Sequence, residues 1–272
     1  MFTAHAYAGN PLAVVLEGDD LTAGQMQLLA QEFGFSETAF PLQPIGERGY
    51  RLRIFTPVVE LPFAGHPSVG AAWVLHHRRL VPAGRLLQSC AAGELAVEVG
   101  PDGAVLAGGA PTCGPELAAA PLLAAVGLRA DDLAGPARRA GCGIEFTYLL
   151  VRPDAVARIA PDDAALRALD LGSGLSVTAW SGGAAHSRVL VPELGLTEDP
   201  ATGSAAVGLG VHLAASGLLP DGASSYVVQQ GREIGRPSVL SCTVTVEGGR
   251  AVATTVGGGV VPVMTGRVRV PR

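Results

Sequence analysis

"GHPSVGAAWVL", Gly65 to Leu75, contains no Asp, Glu, Lys or Arg. Pro67 near its start suits the first turn of a helix, where no amide donor is needed. A helix on a protein surface shows a charged face, and this one shows none, so it is expected to be enclosed on all sides. A second stretch, "GSAAVGLGVHL" (Gly203–Leu213), repeats the pattern. Gly65 falls on Gly203, Val69 on Val207, Gly70 on Gly208 and Leu75 on Leu213, while His66 falls on Ser204. Small residues through the first two turns let other backbone approach closely. Two apolar helices of this kind, one in each half, point to a duplicated α+β protein with a central helix in each half.

Outward from these helices, most of the chain reads as strands. "NPLAVVLEG" (Asn10–Gly18), "SETAFPL" (Ser36–Leu42) and "YRLRIFTP" (Tyr50–Pro57) are expected strands, the last with Arg51 and Arg53 outward and Leu52 and Ile54 inward. "TAGQMQLLAQEFG" (Thr22–Gly34) is a helix by its spacing of Met26, Leu28, Leu29 and Phe33, with Thr22 as its cap and Gly34 as its stop. "PELAAAPLLAAVGL" (Pro115–Leu128) is expected to be helical, "DDLAGPARRAGCG" (Asp131–Gly143) to be a linker-like loop, and "APDDAALRALDLG" to hold a short helix. "FTYLLVRP", "GLSVTAW", "HSRVLVPEL", "SYVVQQG", "RPSVLSCTVTVEGG" and "AVATTVGGGVVPVMTGRVRV" are expected strands. We divide the chain at 1–113 and 114–259, with a C-terminal strand at 260–272 returning to the first half.

Composition narrows the function. The chain has 272 residues, 48% hydrophobic and 16% charged, the signature of a globular protein. A formal charge of -5 without a basic run argues against nucleic-acid binding. The basic side chains are all Arg. No segment is long and apolar enough to span a membrane, and the N-terminus does not read as a secretory signal. Cys90, Cys113, Cys142 and Cys242 are scattered, so neither a zinc ribbon nor a C-x-x-C redox motif is indicated, and a reducing cytoplasm is expected. No H-x-x-x-H or H-E-x-x-H is present, no metal ligand set is expected, and the G-x-S-x-G of a serine hydrolase is missing.

Four stretches carry groups for chemistry. In "SETAF", Glu37 stands among Phe35, Ala39 and Phe40. A carboxyl buried there would have a raised pKa and could take or give a proton near neutrality; on a strand edge it would be a solvated carboxylate. In "AGHPSVG", His66 is expected at or just before the N-cap of its helix. The helix end favours the neutral imidazole, which can pass a proton or serve only as a cap. In "EDPATGSAAVG", Asp199, Thr202, Gly203 and Ser204 open the second helix. Backbone N–H groups, hydroxyls and a glycine suit a carboxylate ligand there, or simply cap the helix. The missing Lys of a P-loop and the missing G-x-G-x-x-G disfavour a nucleotide. In "QQGREIGRPS" (Gln229–Ser238), Arg232 or Arg236 could meet an acidic substrate or lie solvated in a turn.

"GNPLAVVL", "SETAF", "FTPVVELPFAGHPSVGAA", "EDPATGSAAVGLG" and "QGREIGRPS", in this order from Phe2 to about Pro271, together resemble the PhzF-like (phenazine-biosynthesis isomerase-like) family. The resemblance implies a diaminopimelate-epimerase-like fold: two pseudo-symmetric halves, each a barrel-like, mainly antiparallel sheet around a central helix, with the active site in a cleft between them. It implies a cofactor-independent isomerase acting by proton transfer on a small carboxylate-bearing metabolite, similar to trans-2,3-dihydro-3-hydroxyanthranilate isomerase. Epimerisation or tautomerisation of an amino acid, or a non-catalytic small-molecule binder, are the alternatives. It carries Glu37 over as general acid/base, His66, Asp199 and Ser204 as its catalytic partners, and Gly65, Gly203, Thr202 and Asn10 as substrate-binding positions. A homodimer is implied as well. Related epimerases and proline racemases use a cysteine at each helix start, and none of the four cysteines here falls in either motif, so that chemistry is disfavoured.

Overall fold

The computed structural model describes residues 1–44, 48–192 and 196–272. The chain folds as two compact units, Met1–Ala107 with Gly257–Arg272, and Gly108–Val256. The sequence division at 113/114 cuts through a strand, Pro111–Leu117, and the residues from Gly108 onward belong with the second unit. Residues 260–272 belong to the first unit but form no strand there, and Val263, Met264 and Val270 are exposed along them.

In the first unit the strands are β1 (Ala13–Val14), β2 (Thr38–Pro44), β3 (Gly49–Phe55), β4 (Glu60–Leu61), β5 (Gly84–Cys90), β6 (Gly93–Val99) and β7 (Gly103–Ala107). They lie in the order β1-β2-β3-β5-β6-β7, with β4 beside β3. Helix α1 (Ala23–Phe33) joins β1 to β2, and α2 (Gly65–His77) lies between β4 and β5. Thr22 and Gln25 close a capping box at the start of α1, and Gly34 ends it in the left-handed conformation, as the sequence indicates. Helix α2 is buried from Gly65 to Trp73 and packs on β7, β2 and β6. On β3, Leu52 and Ile54 are buried while Arg51 is exposed, the expected alternation.

In the second unit the strands are β8 (Pro111–Leu117), β9 (Ala137–Cys142), β10 (Glu145–Leu150), β11 (Leu175–Trp180), β12 (Ala184–Val191), β13 (Leu196–Asp199), β14 (Gly222–Gln230), β15 (Ser238–Glu247) and β16 (Arg250–Gly259), whose last residues pass into the first unit. Their order is β16-β15-β14-β12-β11-β10-β9-β8, with β13 beside β12. Three short helices, α3 (Ala119–Ala125), α4 (Pro153–Val156) and α5 (Asp163–Arg167), cover one apolar cluster with Leu149, Val177 and Leu190. Helix α6 (Gly203–Ala215) is buried nearly throughout and packs on β9, β15 and β10. Glu193 and Leu194 of the expected strand "HSRVLVPEL" lie outside the described residues.

Two further expectations fail in the second unit. The helix expected over Pro115–Leu128 is half as long, because Pro111–Leu117 pairs with β9 as a strand. The linker expected over Asp131–Gly143 contains β9 itself, hydrogen-bonded on one side to β8 and on the other to β10. Sheet partners on both sides outweigh the weak strand propensity of "ARRAGC".

The two units share one path. In each, a strand pair runs parallel across a helical crossover (β1 and β2 around α1; β10 and β11 around α4 and α5). A strand then pairs antiparallel with a short one (β3 with β4; β12 with β13). The buried helix follows (α2; α6), and its chain returns as a parallel neighbour (β5 beside β3; β14 beside β12). The echo read between the two helix sequences is therefore an echo of topology. The pairs β2–β3, β5–β6, β6–β7, β8–β9, β9–β10, β11–β12 and β14–β15 are antiparallel. The strand order is an open path in each unit, with no pairing that closes a ring among the described residues.

Candidate active site

Glu37 is the last residue before β2, so its position is set by the pairing of Thr38 with Phe55 and Ala13. Its side chain is 12% exposed, and its Oε2 lies 3.4 Å from Nε2 of His66, itself 7% exposed. Burial raises the Glu37 pKa above its ordinary 4.5, against the smaller opposing effect of a hydrogen bond from Ser36. The solvated strand-edge reading of Glu37 is thereby removed. Ser36 also lies 3.5 Å from Oδ1 of Asn10, which is fully buried. The structure thus brings Glu37, His66 and Asn10 together in the first unit.

His66 is not the cap of its helix. Ala64 occupies that place, Gly65 is the first helical residue and His66 the second, with Pro67 third. Ala64 has no side chain that could cap the helix. Instead the first turn is tied to the sheet by three buried residues that the sequence reading did not single out for chemistry. Tyr50 donates its hydroxyl to Oε1 of Gln88 (3.0 Å), Gln88 donates Nε2–H to Oγ of Ser68 (2.9 Å), and Ser68 donates to the carbonyl of Ala64 (2.9 Å). A fully satisfied buried chain of this kind fixes the helix start, and with it the His66 ring, against the sheet. At the other end of α2, His77 stacks on Trp73 and Nδ1 of His76 lies 3.3 Å from the Val81 carbonyl, which places both in helix packing.

The second unit has its own cluster. Asp199 ends β13, paired with Val189. Its neighbour Glu198 is buried, and its Oε2 accepts from Nε and Nη2 of Arg188 at 3.0 and 2.6 Å. That bidentate-donor pair pins β13 to β12 next to Asp199. Thr202 is the N-cap of α6, yet its hydroxyl is turned away from the helix and donates to Oδ2 of Asp199 at 2.5 Å. Gly203 and Ser204 are the first and second helical residues, so Ser204 occupies in α6 the position His66 occupies in α2. The residue that sequence reasoning missed is Gln230, 2% exposed at the end of β14, whose amide contacts both Thr202 and Asp199. It lies in "QQGREIGRPS", beside the two arginines that carry the visible charge of that stretch. In the same turn Glu233 places its Oε1 2.9 Å from Nε2 of His186 on β12.

None of the four cysteines lies on either helix start. Cys90 is on β5, Cys113 on β8, Cys142 on β9 and Cys242 on β15. Burial pushes the thiols of Cys142 and Cys242 up, the latter to about 12, so both are poor nucleophiles.

Comparison with known proteins agrees with these motifs. The family model described as phenazine biosynthesis-like protein, PhzC-PhzF, matches residues 1–266. This chain belongs to the PhzC-PhzF family. It is 37% identical over 264 residues to the trans-2,3-dihydro-3-hydroxyanthranilate isomerase of Pseudomonas aeruginosa, covering 94% of this chain and 92% of the relative. It is 36% identical over 247 residues to the enzyme of the same name from Pseudomonas fluorescens, covering 88% and 86%. Among solved structures, a PhzF-family phenazine biosynthesis protein of Bacillus anthracis matches with a TM-score of 0.85 at 26% identity, covering 95% of this chain and 93% of that one. A hydroxyproline epimerase of Agrobacterium vitis matches at 13% identity with a TM-score of 0.57, covering 89% and 80%, a likeness of fold. The chain is an isomerase of the PhzF type. Among the described residues, no helix is long and apolar enough to cross a membrane.

Proposed function

We propose that this PhzF-type isomerase is cofactor-independent and moves a proton between two carbons of a small carboxylate-bearing metabolite. The observation that carries the reading is the Glu37–His66 pair. A carboxyl buried beside an imidazole at 3.4 Å, with its pKa raised by burial, can accept a proton from carbon and hand it back without a metal or coenzyme. In this reading Glu37 is the base and then the acid. His66 holds the carboxyl in place and shares its proton. Asp199 and Ser204 complete the catalytic set. The N–H groups at Gly65 and Gly203 hold substrate carboxylate or developing negative charge, since each opens a helix.

The first compound to test is trans-2,3-dihydro-3-hydroxyanthranilate, named for the Pseudomonas relatives. Wild-type protein in D2O is incubated with it, and separately with diaminopimelate and proline, and each is followed by proton NMR. Conversion of the first with deuterium entering product supports the reading. Exchange at the α-carbon of proline or diaminopimelate alone points to epimerisation and overturns the substrate assignment. A homodimer is part of the proposal, and sedimentation equilibrium reads it directly.

A further inference from the structure

We infer that Gln230 is a positioning residue that sets the direction of the Thr202 hydroxyl and so the orientation of the Asp199 carboxylate. Gln230 ends β14, in register with Ser187 of β12 on one side and Ser238 of β15 on the other, so its backbone is held from both sides. Its amide makes three bonds to one loop. Oε1 accepts from the Thr202 backbone N–H at 3.2 Å, and Nε2 donates to the Asp199 carbonyl at 2.8 Å. Nε2 also donates to Oγ1 of Thr202 at 3.0 Å. These partners admit one orientation of the amide: a flipped amide would set its nitrogen against an N–H and its oxygen against a carbonyl.

The consequence reaches the Thr202 hydroxyl. With a lone pair taken by Gln230 Nε2–H, its single proton goes to Oδ2 of Asp199. Thr202, read from the sequence as a substrate-binding residue, is thereby committed to Asp199. The next residue makes the approach possible. Gly231 has φ +76°, and a Cβ there would sit 2.6 Å from the Pro200 carbonyl oxygen and 2.4 Å from that of Arg236. The "QG" of "QQGREIGRPS" is thus a clamp on "DPAT": Gln230 grips the loop, and Gly231 lets the two chains touch.

The turnover arm of the test rests on the proposed function, and the structural arm does not. Crystal structures of wild type, Gln230→Met and Thr202→Val are compared at Asp199. The inference expects the Asp199 carboxylate to leave its wild-type rotamer in both variants and to keep it in Thr202→Ser. With trans-2,3-dihydro-3-hydroxyanthranilate as substrate, kcat is expected to fall at least tenfold in Gln230→Met and Thr202→Val with KM within threefold, and to fall less in Thr202→Ser, which keeps the hydroxyl, than in Thr202→Val. Gln230→Glu removes both N–H donors, and protonating the introduced carboxyl returns one. Its kcat relative to wild type at the same pH is therefore expected to recover as the pH is lowered, a shift that loosened packing would not produce. An unmoved Asp199 in both variants overturns the inference. So does a turned Asp199 with kcat unchanged, or a loss seen only in KM, which would make Thr202 a substrate ligand. Should Gln230→Met not fold, the Thr202 pair decides. Should wild type not turn the compound over, the substrate assignment falls and the Asp199 rotamer still decides.

Discussion

At the scale of single residues, Glu37 shows how function and stability oppose each other. Its carboxyl is buried, so its pKa is higher in the folded chain than in the unfolded one. The folded state then binds the extra proton, and stability falls as pH rises above 4.5 toward the folded value. Glu37→Gln removes that cost. We expect the variant to melt at a higher temperature than wild type at pH 7, with the gain gone at pH 4 and below, by thermal unfolding at both. His212 has the opposite sign. Fully buried on α6, its ring stacks on Tyr148 at 5.4 Å. Burial first, and the charge of Arg138 second, hold its pKa down to about 4 from 6.5. The unfolded chain binds the proton that the folded one refuses, so stability is lost as pH falls from 6.5 toward 4, by about 3 kcal/mol at about 1.36 kcal/mol per pH unit. Urea unfolding at pH 7 and pH 4 should show a smaller acid loss in His212→Phe than in wild type. A loss of equal size in both would contradict this account of the residue.

At the scale of elements, α2 and α6 were legible because a helix without charged residues has to be enclosed, and both are. What encloses them was not legible. The hydroxyls of Tyr148 and Tyr226 reach the backbone carbonyls of Ala205 and Ala206, each at 2.7 Å. A Cβ on Gly208 would stand 2.2 Å from the Tyr148 hydroxyl. We expect Gly208→Ala to destabilise by about 1–3 kcal/mol, the range of an overpacked core. Tyr148→Phe removes the clashing oxygen, so the double variant should recover part of that loss, a coupling measurable by a double-mutant cycle in urea. Strictly additive losses would show that the contact is not the cause. The elements that were misread share one reason. β8 and β9 pair with each other across the intervening helix α3, and "PELAAAP" and "ARRAGC" carry no local sign of it. Gln230 was missed likewise, because nothing in "VVQQG" shows that the strand ends against the "DPAT" loop. His66 was placed at least two positions too early, since Ala64 gives no capping signal and still serves as the N-cap.

At the scale of the whole molecule, the repeat seen in two stretches of sequence extends to the order and direction of the strands around each buried helix. Duplication was readable from composition and glycine spacing, and the strand order was not, because pairing is set by contacts between distant segments. The repeat also explains why equivalent places hold different groups. The second position of each buried helix carries His66 in one unit and Ser204 in the other; Glu37 pairs with His66 in the first, and Asp199 is held by Thr202 and Gln230 in the second. One fold unit used twice thus holds a buried carboxyl–imidazole pair in one copy and a hydrogen-bonded carboxylate in the other. The most direct test of the central claim, that Glu37 carries the proton, is the turnover of trans-2,3-dihydro-3-hydroxyanthranilate by wild type and Glu37→Gln, followed by proton NMR in D2O. The account predicts conversion by wild type and a rate lower by about 10²–10⁴ in the variant, the usual contribution of a general acid/base. Turnover of the variant within a few-fold of wild type would contradict it.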